Sequence, residues 1–217
     1  MKCVAVSDIH TREVVTPEAD LLIVAGDMTF HGEKKELDWY ADWLTRQPQR
    51  HKVWIAGNHE LGLEKNPNLA PALAKETGTI YLEDNGIDIE GLKIWGSPVT
   101  PFFFAWAYNR QRGSEIREHW KLIPEGLDIL ITHGPPLGYL DDVPSGEHVG
   151  CADLLEFIYE ILYEPPRVVI FGHIHNGYGE EILEREDGIK VHLINASSCD
   201  ENYRPVNPPI SFELSPR

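Results

Sequence analysis

A chain of 217 residues, 42% apolar and 25% charged, suits a single globular domain spanning residues 1–217. It is long enough to bury about 70% of its unfolded surface without disulfides or a structural metal. Nineteen Lys and Arg against thirty-five Asp and Glu leave a net charge of −16, a field that repels long polyanions and argues against a nucleic-acid polymer as partner. No run approaches the ~20 consecutive apolar residues of a membrane helix, and the first apolar run (residues 3–6) is too short for a signal-peptide core. Cys3, Cys151 and Cys199 stand at unrelated spacings and imply no disulfide framework. Together these features point to a cytoplasmic protein with no membrane attachment.

In chain order, short apolar runs end in Asp, Asn, His or Gly. Val4-Ala5-Val6 runs into Asp8, and Leu21–Ala25 into Gly26-Asp27. Leu37, Tyr40, Ala41 and Leu44 then recur at helical spacing. Residues 53–56 lead to Gly57-Asn58-His59-Glu60, and residues 71–77 read as a shorter helix. Residues 80–95 read as strands turning at Asn85-Gly86 and Glu90-Gly91. Residues 127–132 end in His133, and Val168–Phe171 in Gly172-His173-Ile174-His175. Between these two strands, Ala152, Leu155, Ile158, Tyr159 and Leu162 predict a helix stopped by Pro165-Pro166. Residues 179–195 read as further strands around Asp187-Gly188. Unbroken Val- and Ile-rich runs are strands buried on both faces. The pattern therefore predicts an α/β fold, two sheets face to face with helices outside, whose polar strand ends carry the ligand site.

Those strand ends hold carboxylate, amide oxygen and imidazole, a donor set suited to Mn, Fe, Zn or Ni rather than Ca or Mg. In extended chain, Asp8 and His10 would face one ion together, as would His173 and His175. Gly26, Gly57, Gly134 and Gly172 flank the donors and would turn the chain sharply toward an ion. A single D-x-H or H-x-H is weak evidence, because a lone strand-end histidine is more often a satisfied structural residue. Here five of the ten histidines fall inside five such clusters. The other five, His31, His51, His119, His148 and His192, read as surface or structural.

The ordered series Asp8-x-His10, Gly26-Asp27, Gly57-Asn58-His59-Glu60, His133 and Gly172-His173-x-His175 resembles that of the calcineurin-like metallophosphoesterases. Thr132 through Gly138, Asn176 through Gly179, Asn195 through Cys199 and Asn207-Pro208-Pro209-Ile210 narrow the resemblance. They are similar to the brain metallophosphoesterase-domain subfamily and its microbial class III cyclic-nucleotide phosphodiesterase-like relatives. The resemblance implies an αββα sandwich and two divalent transition-metal ions, manganese favoured, with Fe, Zn or Ni as alternatives. One ion would be held by Asp8, His10, Asp27 and His175, and the other by Asp27, Asn58, His133 and His173. It further implies a metal-bridging hydroxide as nucleophile, with Asp27 bridging, His59 protonating the leaving oxygen, and Asn58 and His175 beside the phosphoryl group. Glu60 would orient a ligand or His59.

The substrate so implied is a small phosphodiester or nucleotide, 2′,3′- or 3′,5′-cyclic nucleotides favoured. A phosphomonoesterase, a nuclease of the same superfamily and a non-enzymatic metal-binding scaffold are the rivals. Residues 97–113, rich in Phe, Trp and Pro, read either as a packed hydrophobic loop or as a cleft wall. In the second reading Trp106 would stack a base, and Arg112 or Arg110 would meet a phosphate.

Overall fold

The unbroken apolar runs become the parallel strands of two sheets in the computed structural model, which describes residues 1–217. The first half of the chain forms β1 (Lys2–Val6), β2 (Leu21–Ala25), α1 (Lys34–Arg46), β3 (His51–Ile55), α2 (Leu61–Lys65), α3 (Leu69–Thr77), β4 (Ile80–Tyr81), β5 (Asn85–Ile89) and β6 (Leu92–Ser97). The short β7 (Thr100–Pro101), β8 (Asn109–Arg110) and α4 (Ser114–Trp120) follow. The second half supplies β9 (Ile129–Thr132), α5 (Ala152–Glu156), β10 (Val168–Phe171), β11 (Gly179–Glu184), β12 (Lys190–Asn195) and β13 (Ile210–Glu213).

One sheet runs β13-β1-β2-β3-β4 and the other β11-β12-β10-β9-β6-β5. In each, the central strands are parallel: β1 to β4 in the first, and β6, β9, β10 and β12 in the second. The antiparallel strands β13, β5 and β11 stand at the edges. Strand side chains alternate faces, so Ala5, Ile23 and Ile55 meet Ile94, Ile131, Ile170 and Ile194 between the sheets. The opposite faces pack outward. Val4, Leu22 and Trp54 lie under Leu37, Tyr40, Trp43 and Leu44 of α1, and Leu130, Val169 and Leu193 under Trp120, Leu154 and Ile158. No helix is long and apolar enough to cross a membrane. The three cysteines are buried and unpaired.

Two readings change. Residues 80–95 do not form one meander: β4 extends the first sheet, whereas β5 and β6 belong to the second. The predicted helix over 152–162 is α-helical only to Glu156 and then makes a π turn over Phe157–Ile161, closed by Leu162 N donating to Phe157 O. The extra residue in that turn rotates the buried face. Leu154, Phe157, Ile158 and Leu162 are buried, while Ala152 is exposed and Leu155 and Tyr159 lie half-buried. The helix ends when the Glu125 carboxylate accepts from the N–H groups of Tyr163 and Glu164, before either proline is reached.

The sheets are joined at the carboxyl ends of their parallel strands. Ser7 N donates to Ala196 O at 2.8 Å, and Ser198 N to Ser7 O at 2.8 Å. Six strand ends thus open into one region.

Candidate metal centre

The donors lie just past β1, β2, β3, β9 and β10. They are not on extended chain: Asp8, His10, Asp27 and His173 have φ of 51°, 42°, 53° and 67°. Alternation along a strand therefore does not bring Asp8 and His10 together; left-handed turns at the donors themselves do. Each such turn costs a non-glycine residue on the order of 1–3 kcal/mol. Backbone hydrogen bonds hold the first of them, with Asp8 N, His10 N and Thr11 N donating to the carbonyls of Gly26, Asp27 and Met28. The flanking glycines mostly serve another purpose. Gly57 and Gly172 have ordinary φ, but a Cβ would strike Asp27 Oδ1 at the first and Asp8 Oδ2 at the second. They are small because a donor passes close by, and Gly134 carries no such constraint.

The imidazoles are aimed by backbone carbonyls. His10, His133, His175 and His59 present Nδ1 to the carbonyls of Thr29, Ala25, Asp200 and Phe30 at 3.1, 2.9, 2.9 and 2.9 Å. A carbonyl only accepts, so each Nδ1 carries the hydrogen and each Nε2 is left for the centre. Nε2 of His10 lies 3.3 Å from Nε2 of His175, which is 3.4 Å from Asp8 Oδ1. Nε2 of His133 lies 2.9 Å from Asn58 Oδ1 and 3.3 Å from Asp27 Oδ1. No hydrogen bond holds the His173 ring, which meets His133 at 5.0 Å between centroids.

Lone pairs and carboxylate oxygens so crowded need cations among them. Asp8, His10 and His175 offer donor atoms all within 4.8 Å of one another, and so do Asp27, His133 and His173. Asp8 and Asp27 are buried, and their ion-pair partners are all histidines. Burial opposes the charge on Asp8, but its hydrogen bond to His175 and the positive charge there hold the carboxyl below the usual carboxylate range. Burial opposes Asp27 likewise, and His133 and His59 outweigh it. Burial also disfavours charge on His133 and His175, yet Asp27 and Asp8 respectively lift each to about 9. Burial takes His10 and His173 down to about 4. Two buried carboxylates are balanced here by imidazole protons, which divalent ions would displace on binding, and the donor set fits such ions. His59 also falls within 4.8 Å of His10 and Asp27, its Nε2 3.9 Å from Asp27 Oδ2.

Glu60 ties two donor turns together. Its carboxylate accepts from the backbone N–H groups of Asp27, Thr29 and Gly57 and from the Thr29 hydroxyl, at 2.7–3.0 Å. Burial and the neighbouring Asp27 nevertheless push its pKa up to about 7.

The centre opens into a cleft of about 880 Å³ lined by Asp27, Asn58, His59, His173 and His175 on its floor. Residues 101–106 and Arg112 form a wall with Phe102, Phe103 and Phe104 exposed, whereas residues 97–100, Ala107 and Tyr108 are buried, so the segment over 97–113 is packed at its base and lines the cleft at its tip. Trp106 and Arg112 both line the cleft with their polar or flat surfaces already engaged. Trp106 lies over the His59 ring, tilted by 30°, at 4.3 Å between centroids. The Arg112 guanidinium donates to the carbonyls of Gly150 and Val149, each at 2.8 Å. Arg110 does not line the cleft; it bonds His119 and its own chain neighbour's carbonyl.

Three further contributors were not assigned a role from the sequence. His31, expected to be surface or structural, is indeed exposed, and it lines the cleft 6.4 Å from Trp106. Tyr203 closes the far side, its ring 4.8 Å from His10. Ser197 donates to Asp8 Oδ2 at 2.8 Å; the Asn195-Ala196-Ser197-Ser198-Cys199 run pointed at this region without a role for it.

Fold and donor set together are those of a metal-dependent phosphoesterase. A family model described as calcineurin-like phosphoesterase matches residues 1–177, and the chain belongs to that family. It is 41% identical to human metallophosphoesterase domain-containing protein 1 over 235 residues, covering 97% of this chain and 70% of that protein. A UPF0046 protein of Caenorhabditis elegans is 35% identical over 228 residues, covering 99% and 75%. One solved structure superposes with a TM-score of 0.68 at 17% identity over 89% of each chain. A second, from Thermus thermophilus, does so with 0.55 at 12% identity, over 89% and 88%. At those identities the structures speak for the fold alone.

Proposed function

We propose that the chain hydrolyses small phosphodiesters, cyclic nucleotides among them, at a centre of two divalent transition-metal ions, manganese favoured. The observation that carries the choice of diester is the charge inventory of the cleft. Its lining holds no lysine and one arginine, and that guanidinium is spent on two carbonyls. A diester brings one negative charge and a monoester close to two; with Arg112 turned to the loop carbonyls, the lining offers no free Lys or Arg to match a second phosphoryl charge, which suits the diester. Polyanionic polymers are disfavoured for the same reason.

Asp8, His10, Asp27 and His175 would hold one ion, and Asp27, Asn58, His133 and His173 the other. Bound there, the ions would neutralise phosphoryl oxygens and activate water for in-line displacement. The residues of the chain do the rest. The Asn58 amide group makes no hydrogen bond to the protein through its NH2 and faces the cleft, free to donate to a phosphoryl oxygen. With Nδ1–H given to Phe30 O, His59 has only Nε2 to present, and a proton there passes to the leaving oxygen as the P–O bond breaks. His175, also on the cleft floor, borders the phosphoryl group.

The test is activity of metal-stripped protein on bis-p-nitrophenyl phosphate, p-nitrophenyl phosphate and cyclic nucleotides, with Mn, Fe, Zn, Ni or Mg returned. Diester turnover above monoester turnover, restored by a transition metal, is expected. Monoester preference would overturn the diester reading, and no turnover with two ions bound would leave a metal-binding scaffold.

A further inference from the structure

We propose that Trp106 is a positioning residue that holds the His59 imidazole in line with the leaving oxygen, an inference resting on the acid role of His59 given above. Besides Asp27 Oδ2, which lies 3.9 Å from Nε2, three contacts hold the His59 ring most closely. Phe30 O takes Nδ1–H at 2.9 Å, His10 meets it edge-on at 4.7 Å, and the Trp106 indole lies on it at 4.3 Å with the planes 30° apart. One hydrogen bond leaves a ring free to tilt about that bond; a broad aromatic face removes the tilt. Misplacing a reacting atom by about 1 Å can cost about a hundredfold in rate.

Trp106 is itself held in register with the turn it serves. The next residue, Ala107, donates its backbone N–H to the carbonyl of Asn58 at 3.0 Å, immediately before His59 in the chain. Tyr108 N donates to Glu64 Oε1 at 2.9 Å. Asn109 braces the loop from within, accepting from Thr100 Oγ1 and donating to Phe103 O at 3.0 and 2.7 Å. Phe102, Phe103 and Phe104, on the same loop, are exposed; Phe103 meets the His173 ring edge-on at 6.2 Å, but none of the three pairs with the His59 ring. The wall therefore divides its work: the phenylalanines are left to the substrate, and the tryptophan belongs to His59.

The test is a double-mutant cycle read on a diester with an alkyl leaving group, methyl p-nitrophenyl phosphate being the activated control. Trp106→Ala should lower kcat on the alkyl ester at least tenfold with KM within about twofold and metal content unchanged. Trp106→Phe should recover most of that loss. In the His59→Ala background, Trp106→Ala should cost nothing further, because its effect passes through a ring already removed. Losses that multiply, or that fall on KM, would make Trp106 a substrate contact and overturn the proposal. In Zn-loaded protein, the His59 Cε1–H resonance, assigned by its absence from His59→Ala, should move and broaden in Trp106→Ala. An unmoved resonance would also overturn the proposal. Should His59→Ala leave the alkyl ester unaffected, the acid role fails, and the resonance then reports separately whether Trp106 holds the ring.

Discussion

The floor and the wall of the cleft are built in opposite ways. On the floor, four imidazoles are pinned through Nδ1 to main-chain carbonyls, and Asp8 accepts from His173 N and Ser197 Oγ. Ala25 ends β2, while Thr29, Phe30 and Asp200 lie on the loops that follow β2 and β12, so each ring is aimed by backbone fixed at or just beyond the sheets. On the wall, Phe102, Phe103 and Phe104 stand exposed, with two phenyl rings in contact chiefly with each other at 4.5 Å. A rigid floor preserves the spacing that chemistry demands. A wall of loosely held aromatic rings can fit more than one organic group, because stacking asks for a flat face rather than a matched donor.

The sharpest break of this contrast lies at Asp27, whose two oxygens serve both donor groups. Asp27→Ala should abolish turnover and reduce bound Mn from about two ions per chain, measured by elemental analysis, whereas Asp8→Ala should weaken mainly one site. Retention of both ions by Asp27→Ala would mean that the floor does not depend on a shared carboxylate. His59→Ala comes next. It should keep both ions and lose about 10²–10⁴-fold on an alkyl leaving group, and far less on p-nitrophenolate, which departs without a proton. Metal loss in this variant would make His59 a ligand.

Glu60→Gln probes rigidity without touching the metals directly. It turns one acceptor into an NH2 facing backbone donors and should cost about 2–4 kcal/mol, read as a lower Tm, with activity falling as the donor turns loosen. Phe104→Ala should act on the wall alone. KM for an aromatic diester should rise roughly fivefold, about 1 kcal/mol, with kcat and Tm unchanged; a fall in kcat would show the wall to be part of the floor.

The smallest effect concerns the loop that holds His175. Hydrogen bonds from Arg204 and neighbouring N–H groups lower the Asp200 carboxyl from its ordinary 3.8 to about 2. A depressed acid binds fewer protons when folded, so its contribution is full above pH 3.8 and disappears as pH falls through about 2. The Tm difference between wild type and Asp200→Asn should shrink over that window, and a difference constant with pH would discount the ionic tie.

Much of this was legible before any coordinates. Apolar runs ending in Asp8, Asp27, Asn58, His133 and His173 named the parallel strands and their functional ends, because a strand buried on both faces must be apolar throughout and can turn polar only where it leaves the sheet. The helix over residues 34–46 was visible for a similar reason, its buried face repeating at the helical period. Local pattern also misled. The D-x-H spacing suggested side chains alternating along a strand, whereas Asp8 and His10 converge through left-handed turns sustained by the adjacent 26–28 segment. The stripe over 152–162 suggested continuous α-helix, but Ile158 reaches the core within a π turn and Leu162 just after it.

Residue types and order along the chain thus determined the two-layer α/β class, the donors and the family resemblance, since those depend on composition and short-range periodicity. Only the tertiary structure decided which carbonyl orients each histidine, that Glu60 joins two donor turns, that Arg112 is spent on the loop at 149–150, and that His31 and Tyr203 face the cleft. Those are pairings between residues tens to more than a hundred positions apart, His133 and Ala25 at a separation of 108 being one. A hydrogen bond of that kind leaves no period in the sequence, because its partner is a backbone group that every residue possesses.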